Sequence, residues 1–245
     1  MATSATRPVI ALLHGGGQGS WVWEELVALL EQAGVRAIAL DVPGCGTKRG
    51  RDLSAIDANC VAAELVDDLS GHDDVTLVGH SLAGAILPRM AGILPNKWRR
   101  LIYVTCTAPP TGTGFRALMG SGLHGENPDE VGWPVDPAST SADERYRVMF
   151  CNDMSRENAG AFLAKMGQDD WPMDVLVRTD HKYDHLAEIP STYIVCQRDN
   201  GLPPNWQRKF AKRLHCDRIR EIDAGHQVMV TQPAKLAEML LVELS

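Results

Sequence analysis

The chain has 245 residues, 44% of them apolar, which is enough to bury one substantial hydrophobic core. Its formal net charge of −7 argues against nucleic-acid binding, which needs a basic patch. The apolar run 9–13 is too short to span a membrane or to form the centre of a signal peptide. We therefore expect a soluble cytoplasmic protein whose partner is neither nucleic acid nor membrane.

Short apolar runs alternate with segments of helical periodicity along most of the chain. The predicted strands are 9–13, 37–40, 75–78, 101–104, 192–196 and 219–222. The predicted helices are 21–33, 55–69, 82–93, 205–214 and 233–244. Because unbroken apolar strands are typical of sheets buried on both faces, this alternation predicts the α/β class, with a mostly parallel sheet and helices on both faces.

One region, residues 108–185, interrupts this alternation. It lacks a clear buried strand and mixes proline and glycine with helix-forming stretches, aromatic residues and methionines. A connection of this length is too long for an ordinary loop. We predict a helical cap at 108–185 inserted into a core formed by 1–107 and 186–245, the whole chain being a single folding unit.

A serine follows the third predicted strand at a tight turn. Gly79-His80-Ser81-Leu82-Ala83 lies between that strand and a predicted helix, which is the setting of a nucleophile elbow. Small residues on either side leave room for a strained serine at the end of the strand. The strict Gly-x-Ser-x-Gly pattern is missed by one methyl group, since Ala83 stands at its last position. We predict Ser81 as a nucleophile.

A serine hydroxyl needs a base and an orienting acid, and both follow later strands. His226 comes directly after the last predicted strand, and Asp199 lies in the turn-rich segment after the strand 192–196. Asp223 is closer to His226 in sequence, but its place at the end of a strand favours Asp199 as the acid. No acid follows the strand 101–104, where some hydrolases carry theirs.

The first predicted strand ends in a glycine loop, His14-Gly15-Gly16-Gly17. Such a loop lets backbone N–H groups approach a developing oxyanion. We predict that the N–H groups of Gly16 and Leu82 form the oxyanion hole. We interpret His14 as a structural histidine.

No metal or organic cofactor is expected. The six cysteines form no Cys-x-x-Cys pair, and they are interpreted as free thiols of a reducing compartment rather than as zinc ligands or disulfides. His181 and His185 stand four residues apart beside two aspartates, which on a helix would suit a metal. Surface charge on the insertion explains them better, because no third ligand is evident.

Four segments of the sequence resemble the methylesterase and hydroxynitrile lyase group of the α/β-hydrolases. They are HGGGQGSWVWEEL from residue 14, GHSLAG from 79, YIVCQRDNGLPPNWQRKF from 193 and AGHQVMVTQPAKLAEML from 224. The resemblance covers nearly the whole chain and implies a serine hydrolase or, less often, a cofactor-free lyase. Lyases of the group tend to carry threonine where this chain has Gly15, and lysine where it has Gln227. Both departures disfavour cyanohydrin cleavage.

The sequence therefore predicts a serine esterase that forms an acyl-enzyme with a small hydrophobic ester. Methyl esters, aryl esters, carbamates and lactones are all left open. We expect Gly15, His80, Trp133 and Trp171 to contact the substrate, together with several methionines of the cap. A lyase using the same residues and a small-molecule receptor built on the same scaffold stay as alternatives. The sequence leaves both a monomer and a homodimer open.

Overall fold

A six-stranded parallel sheet forms the centre of the protein, whose computed structural model describes residues 7–244. The strands are β1 (Val9–Leu13), β2 (Arg36–Leu40), β3 (Val75–His80), β4 (Trp98–Val104), β5 (Ser191–Cys196) and β6 (Arg218–Ile222). They lie in the order β2-β1-β3-β4-β5-β6, and every neighbouring pair is parallel. All six predicted strands are present, and the predicted α/β fold is confirmed. Residues 1–6, which belong to the core predicted for 1–107, and residue 245 lie outside the described residues.

The four inner strands are apolar on both faces because helices cover both sides of the sheet. Successive residues of a strand point to opposite faces. Ile10 and Leu12 therefore pack with α1 (Glu24–Gln32) and α10 (Pro233–Glu243), whereas Ala11 and Leu13 face the opposite layer. That second layer contains α2 (Ala58–Asp67), α3 (Leu87–Ile93) and α8 (Pro204–Arg213). The short helix α9 (Val228–Thr231) precedes α10.

Burial on both faces was the wrong expectation for the two outermost strands. Four of the five residues of β6 are exposed, and β2 is only partly buried along most of its length. Both strands have a neighbour on one side only, so their polar side chains reach solvent. Arg218 and Arg220 of β6 use this exposure to form ion pairs with Glu243 at the end of α10.

Several helices begin later than the periodicity predicts. The predicted helix 55–69 begins at Ala58, because the Asp57 side chain accepts a hydrogen bond from the Cys60 N–H and caps it. The predicted helix 21–33 starts with a 3-10 turn at Ser20–Trp23. The predicted helix 82–93 is split into a 3-10 turn, Ser81–Ala85, and α3. No helix within residues 7–244 is both long enough and apolar enough to cross a membrane.

The connection between β4 and β5 is mostly helical and irregular. It contains α4 (Phe115–Met119), α5 (Ala142–Phe150), α6 (Arg156–Met166) and α7 (Met173–Val177). Helix α5 packs on α6, and α4 packs on α7. A 3-10 turn at Asp184–Glu188 leads into β5 and crosses the predicted boundary at residue 185. The division into a core and a cap stays a prediction, and "cap" below denotes residues 108–185.

Asp169 joins the cap to the N-terminal part of the chain. Its buried carboxylate accepts hydrogen bonds from Trp21 Nε1 at 2.7 Å, from the Gly46 N–H at 2.7 Å and from two nitrogens of Arg49. Burial by itself would raise the pKa of Asp169, but these donors outweigh it and hold the pKa below its usual value. The carboxylate is therefore ionised and fully engaged at neutral pH.

Replacing Asp169 with alanine should loosen this contact. The change leaves Arg49 and the two partly buried N–H donors of Trp21 and Gly46 without an acceptor, which should lower the free energy of unfolding by about 1–3 kcal/mol. Thermal and urea unfolding would measure the loss. Asp170→Ala is the matched control, because this neighbouring side chain is exposed and its removal should cost less than about 0.5 kcal/mol. Equal stabilities for the two variants would contradict the assigned role of Asp169.

Candidate active site

The sharp turn predicted after β3 is present, and Ser81 is strained within it. Its φ is +53°, in the left-handed region that non-glycine residues rarely adopt. Gly79, two residues earlier, has no room for a side chain, since a Cβ there would lie 2.7 Å from a methyl carbon of Leu87. The turn exposes the Ser81 hydroxyl to a cavity between the sheet and the cap.

Hydrogen bonds connect three of the predicted site residues in series. The Ser81 hydroxyl donates to Nε2 of His226, with an Oγ to Nε2 distance of 3.0 Å. Nδ1–H of His226 donates to Oδ2 of Asp199 at 2.7 Å. The other carboxylate oxygen, Oδ1, accepts from the N–H groups of Gly201 and Leu202. Ser81, Asp199 and His226 thus follow β3, β5 and β6 and meet at the carboxyl edge of the sheet.

Asp223, the alternative acid, points elsewhere. Its exposed carboxylate pairs with Arg198 Nε at 2.7 Å. Asp199 is buried and carries the contact with His226.

Two residues expected to contact substrate do not line the cavity, and this part of the prediction is wrong. His80 is completely buried, and its Nε2–H donates to the backbone carbonyl of His226 at 2.8 Å. Gly15 is buried beneath the turn, where a Cβ would lie 2.8 Å from His80 Nδ1 and 2.9 Å from Ser81 Cβ. Both residues lie on the side of the turn away from the cavity. His80 fills that space with a buried imidazole, and Gly15 leaves room for it.

Burial keeps both histidines of these motifs uncharged. It lowers the pKa of His80 well below its usual value, and the neighbouring His226 lowers it further. Burial also lowers the pKa of His14, whose Nε2 accepts from the Val42 N–H while its Nδ1–H donates to the Gly15 carbonyl. His14 therefore has a structural place in the fold, as the sequence indicated.

The glycine loop lies beside Ser81. Gly16 and Leu82 both line the cavity, and a Cβ at Gly16 would lie 3.2 Å from a methyl carbon of Leu82. A buried bridge fixes this loop, because the Gln18 side chain accepts from the Gly15 N–H and donates to Oε1 of Gln227 at 3.0 Å. Gln227, which stands where the lyases tend to carry lysine, is thus occupied in holding the loop.

The cavity has a volume of about 380 Å³ and is lined mainly by the cap. Trp133 and Trp171 line it as predicted, and their contact with a substrate stays a prediction. Other apolar residues of the lining include Phe115, Met119, Met149, Phe150, Met166 and Leu202. Among the described residues that line it, none is lysine or arginine, and two are acidic, Asp169 and Asp170.

Sequence reasoning included Met149 among the cap methionines expected at the pocket, but it did not single out Tyr146 and Phe150, which lie on the same side of α5. Tyr146, Met149 and Phe150 share one face of that helix and all line the cavity. Their spacing of three and four residues is the signal that could have found them. Phe150 also packs on His226, with ring centroids 5.1 Å apart.

Cap side chains also hold the loop that carries His226. Oδ2 of Asp153 accepts from the Gly225 N–H at 2.7 Å and from the Thr231 hydroxyl at 3.0 Å. A side chain at Gly225 would lie 2.5 Å from Asp153, so only glycine permits this approach. The cap therefore both covers the cavity and fixes one of its polar groups.

The paired histidines of the cap lie apart from this site. The His181 ring stacks on Tyr183 with centroids 6.3 Å apart, and Nε2–H of His185 donates to the Pro88 carbonyl at 2.8 Å. Within residues 7–244 no group of three or more His, Cys, Asp or Glu side chains is arranged to hold a metal ion.

Comparison with known proteins identifies the family. The model of the alpha/beta hydrolase family matches residues 10–239. The chain belongs to the α/β-hydrolase family.

Relatives within this family span nearly the whole chain. Methylesterase 3 of Arabidopsis thaliana is 25% identical over an alignment of 265 positions, which covers 98% of this chain and 97% of the relative. Salicylic acid-binding protein 2 of Nicotiana tabacum is 26% identical and covers 94% of each chain. The crystal structure of a pyrethroid hydrolase from Sphingobium faniae JZ-2 is 25% identical, with a TM-score of 0.76 and 98% of both chains covered. The predicted resemblance to the methylesterase group is confirmed.

The close packing around Gly15 can be tested by substituting alanine, which adds one methyl group. Gly15→Ala should force the added methyl group against His80, which is completely buried, and against Ser81, whose backbone is strained, and should lower the free energy of unfolding by about 1–3 kcal/mol. Urea unfolding followed by circular dichroism measures this. Gly160→Ala is the control, because its exposed site in α6 is open and alanine should stabilise the helix by about 0.5–1 kcal/mol. A Gly15→Ala variant as stable as the control would rule out the proposed crowding.

Proposed function

We propose that this protein is a serine esterase that hydrolyses a small, neutral, hydrophobic carboxylic ester through an acyl-enzyme. The observation that carries the proposal is the hydrogen-bonded series from Asp199 through His226 to Ser81, opening into an apolar cavity. The names of the relatives, which include a methylesterase and a pyrethroid hydrolase, support ester cleavage as the reaction.

In the proposed mechanism, His226 Nε2 removes the proton of the Ser81 hydroxyl as its oxygen attacks the ester carbonyl. Asp199 holds Nδ1–H of His226 and stabilises the imidazolium that forms. The N–H groups of Gly16 and Leu82 stabilise the oxyanion, and His226 then protonates the departing alcohol. Water activated by the same imidazole releases the acid and restores Ser81. The cycle needs no metal or organic cofactor.

The cavity supports a neutral substrate with an apolar or aromatic group. Its aromatic rings and flexible methionines can adapt to groups of different shape. A substrate that also carried a free carboxylate would lose the hydration of that group in the cavity. Among the described lining residues it would meet no lysine or arginine to compensate. Methyl esters, aryl esters, carbamates and lactones all stay candidate substrates, because the same acyl-transfer chemistry cleaves each of them.

Two features weigh against the lyase. A larger residue at Gly15 would press on His80 and Ser81, and Gln227 is uncharged and hydrogen-bonded to Gln18, so no cation stands there for a departing cyanide. The hydrogen-bonded base, acid and hydroxyl weigh against the receptor alternative, because a site that only binds a ligand does not need these three groups in series.

The nucleophile and the acid can be tested together on p-nitrophenyl butyrate. Ser81→Ala should abolish turnover and labelling by a fluorophosphonate probe. Asp199→Asn should lower kcat by about 10⁴-fold, because it disturbs the orientation and the tautomer of His226. Asp223→Asn, which removes the charge of an exposed acid, should stay within about twofold of wild type. An active Ser81→Ala variant would exclude Ser81 as the nucleophile, and equal losses at both aspartates would remove the case for Asp199.

The preference for neutral substrates can be tested with a matched pair of esters. The p-nitrophenyl monoester of succinic acid is similar in length to p-nitrophenyl butyrate but carries a carboxylate. We expect kcat/KM to fall by about tenfold or more for the charged ester, which corresponds to about 1.4 kcal/mol or more of uncompensated desolvation. Equal kcat/KM values would mean that charged esters are accommodated and that the substrate class is broader than proposed.

A further inference from the structure

A threonine hydroxyl sits directly behind the acid of this site. Thr105 follows Val104, the last residue of β4, and β4 lies between the strands that carry Ser81 and Asp199. Its side chain is completely buried. The position after this strand carries no acid, but it carries a hydroxyl that faces the acid of the next strand.

The hydroxyl completes the hydrogen bonding of Asp199. Oγ1–H of Thr105 donates to Asp199 Oδ2 at 2.5 Å, and the same oxygen accepts from Nδ1–H of His226. The other oxygen is already held by the N–H groups of Gly201 and Leu202. A carboxylate offers about four acceptor positions. Thr105 therefore supplies the fourth hydrogen bond, on the oxygen that orients the imidazole.

The backbone at Thr105 indicates that this side chain serves a purpose. Its φ is +39°, which is a strained conformation for a β-branched residue and would be unstrained for glycine. Strained residues that persist in a fold are concentrated at functional sites. Thr76 provides a contrast, because it is equally buried in β3 and its hydroxyl has no hydrogen-bond partner among the described residues.

We propose that Thr105 is a positioning residue, which fixes Oδ2 of Asp199 so that Nδ1–H of His226 stays aligned during the reaction. The expected effect of Thr105 on kcat rests on the proposed function. Its expected effect on the orientation of Asp199 and His226 rests on the hydrogen bonds alone. Without the hydroxyl, Oδ2 has His226 as its single partner, and the buried carboxylate turns toward other donors. The imidazole then spends less time aimed at Ser81.

The kinetic test compares Thr105→Val, Thr105→Ser and the control Thr76→Val on p-nitrophenyl butyrate. Valine keeps the shape and removes the hydroxyl, so kcat should fall about ten- to a hundredfold, the loss typical of a hydrogen bond to a charged group, while KM changes less than about twofold. Serine keeps the hydroxyl and should restore kcat to within about threefold of wild type. The Thr76→Val variant should match wild type.

A kcat of the Thr105→Val variant equal to that of wild type would overturn the inference. A Thr105→Ser variant as slow as Thr105→Val would also overturn it, because the methyl group would then be what matters. If Thr105→Val does not fold, Thr105→Ala replaces it. Alanine and serine both lack the methyl group and differ only in the hydroxyl.

A spectroscopic measurement separates this inference from the proposed function. The Nδ1 proton of His226, which donates to Asp199, can be followed by proton NMR in protein labelled with ¹⁵N-histidine, without any substrate. It should be retained in Thr105→Ser and should shift or broaden in Thr105→Ala. That result would support Thr105 even if the wild-type protein hydrolysed no ester, whereas an unchanged resonance in Thr105→Ala would exclude a positioning role.

Discussion

The site depends on the backbone of Ser81, which lies at positive φ at the end of β3, a strained conformation for a residue with a side chain that the surrounding structure must stabilise. Three glycines provide the space. Gly79 lies under Leu87, Gly15 lies against His80, and a Cβ at Gly84 would be 2.0 Å from the carbonyl oxygen of Thr107. Parallel strands bring all of these segments to one edge of the sheet. The position of the hydroxyl therefore depends on close backbone packing from three directions.

Most polar groups around Ser81 are buried and hydrogen-bonded, Nδ1 of His80 being an exception among the described residues, and their burial limits the charge that the site contains. His14 and His80 are neutral and hydrogen-bonded, because burial lowers the pKa of each. Asp199 has a donor at each of its acceptor positions. Buried hydrogen bonds of this kind are strong and costly to break. The arrangement leaves His226 as the polar group that both contacts the serine and opens to the cavity.

The sheet could be predicted from the sequence because its inner strands are unbroken apolar runs, and the positions of Ser81, Asp199 and His226 followed because each comes directly after such a strand. Edge strands were harder. The charged residues of β6 are tolerated because no strand pairs with its outer edge, and the local sequence pattern does not reveal which strand will lie at the edge of the sheet. Gly15 and His80 were misjudged for a related reason, since closeness in sequence to the serine does not tell whether a residue lies in front of it or behind it. Asp169 and Thr105 depend on partners more than ninety residues away, and no local signal marks them.

Asp153 has a consequence for the order in which the molecule assembles. It belongs to a segment that precedes both β5 and β6 in the chain, yet it anchors the turn that follows β6. Asn200, next to Asp199, likewise donates to the Val148 carbonyl of α5. The two loops that complete the polar site are thus tied to a region that precedes them in the chain, and contacts of such long sequence separation carry a loop-closure entropy cost that local contacts avoid. A half-folded chain with an intact sheet but without these cap contacts would hold neither loop in place, so the hydrogen-bonded series from Asp199 through His226 to Ser81 is complete only once the cap has packed.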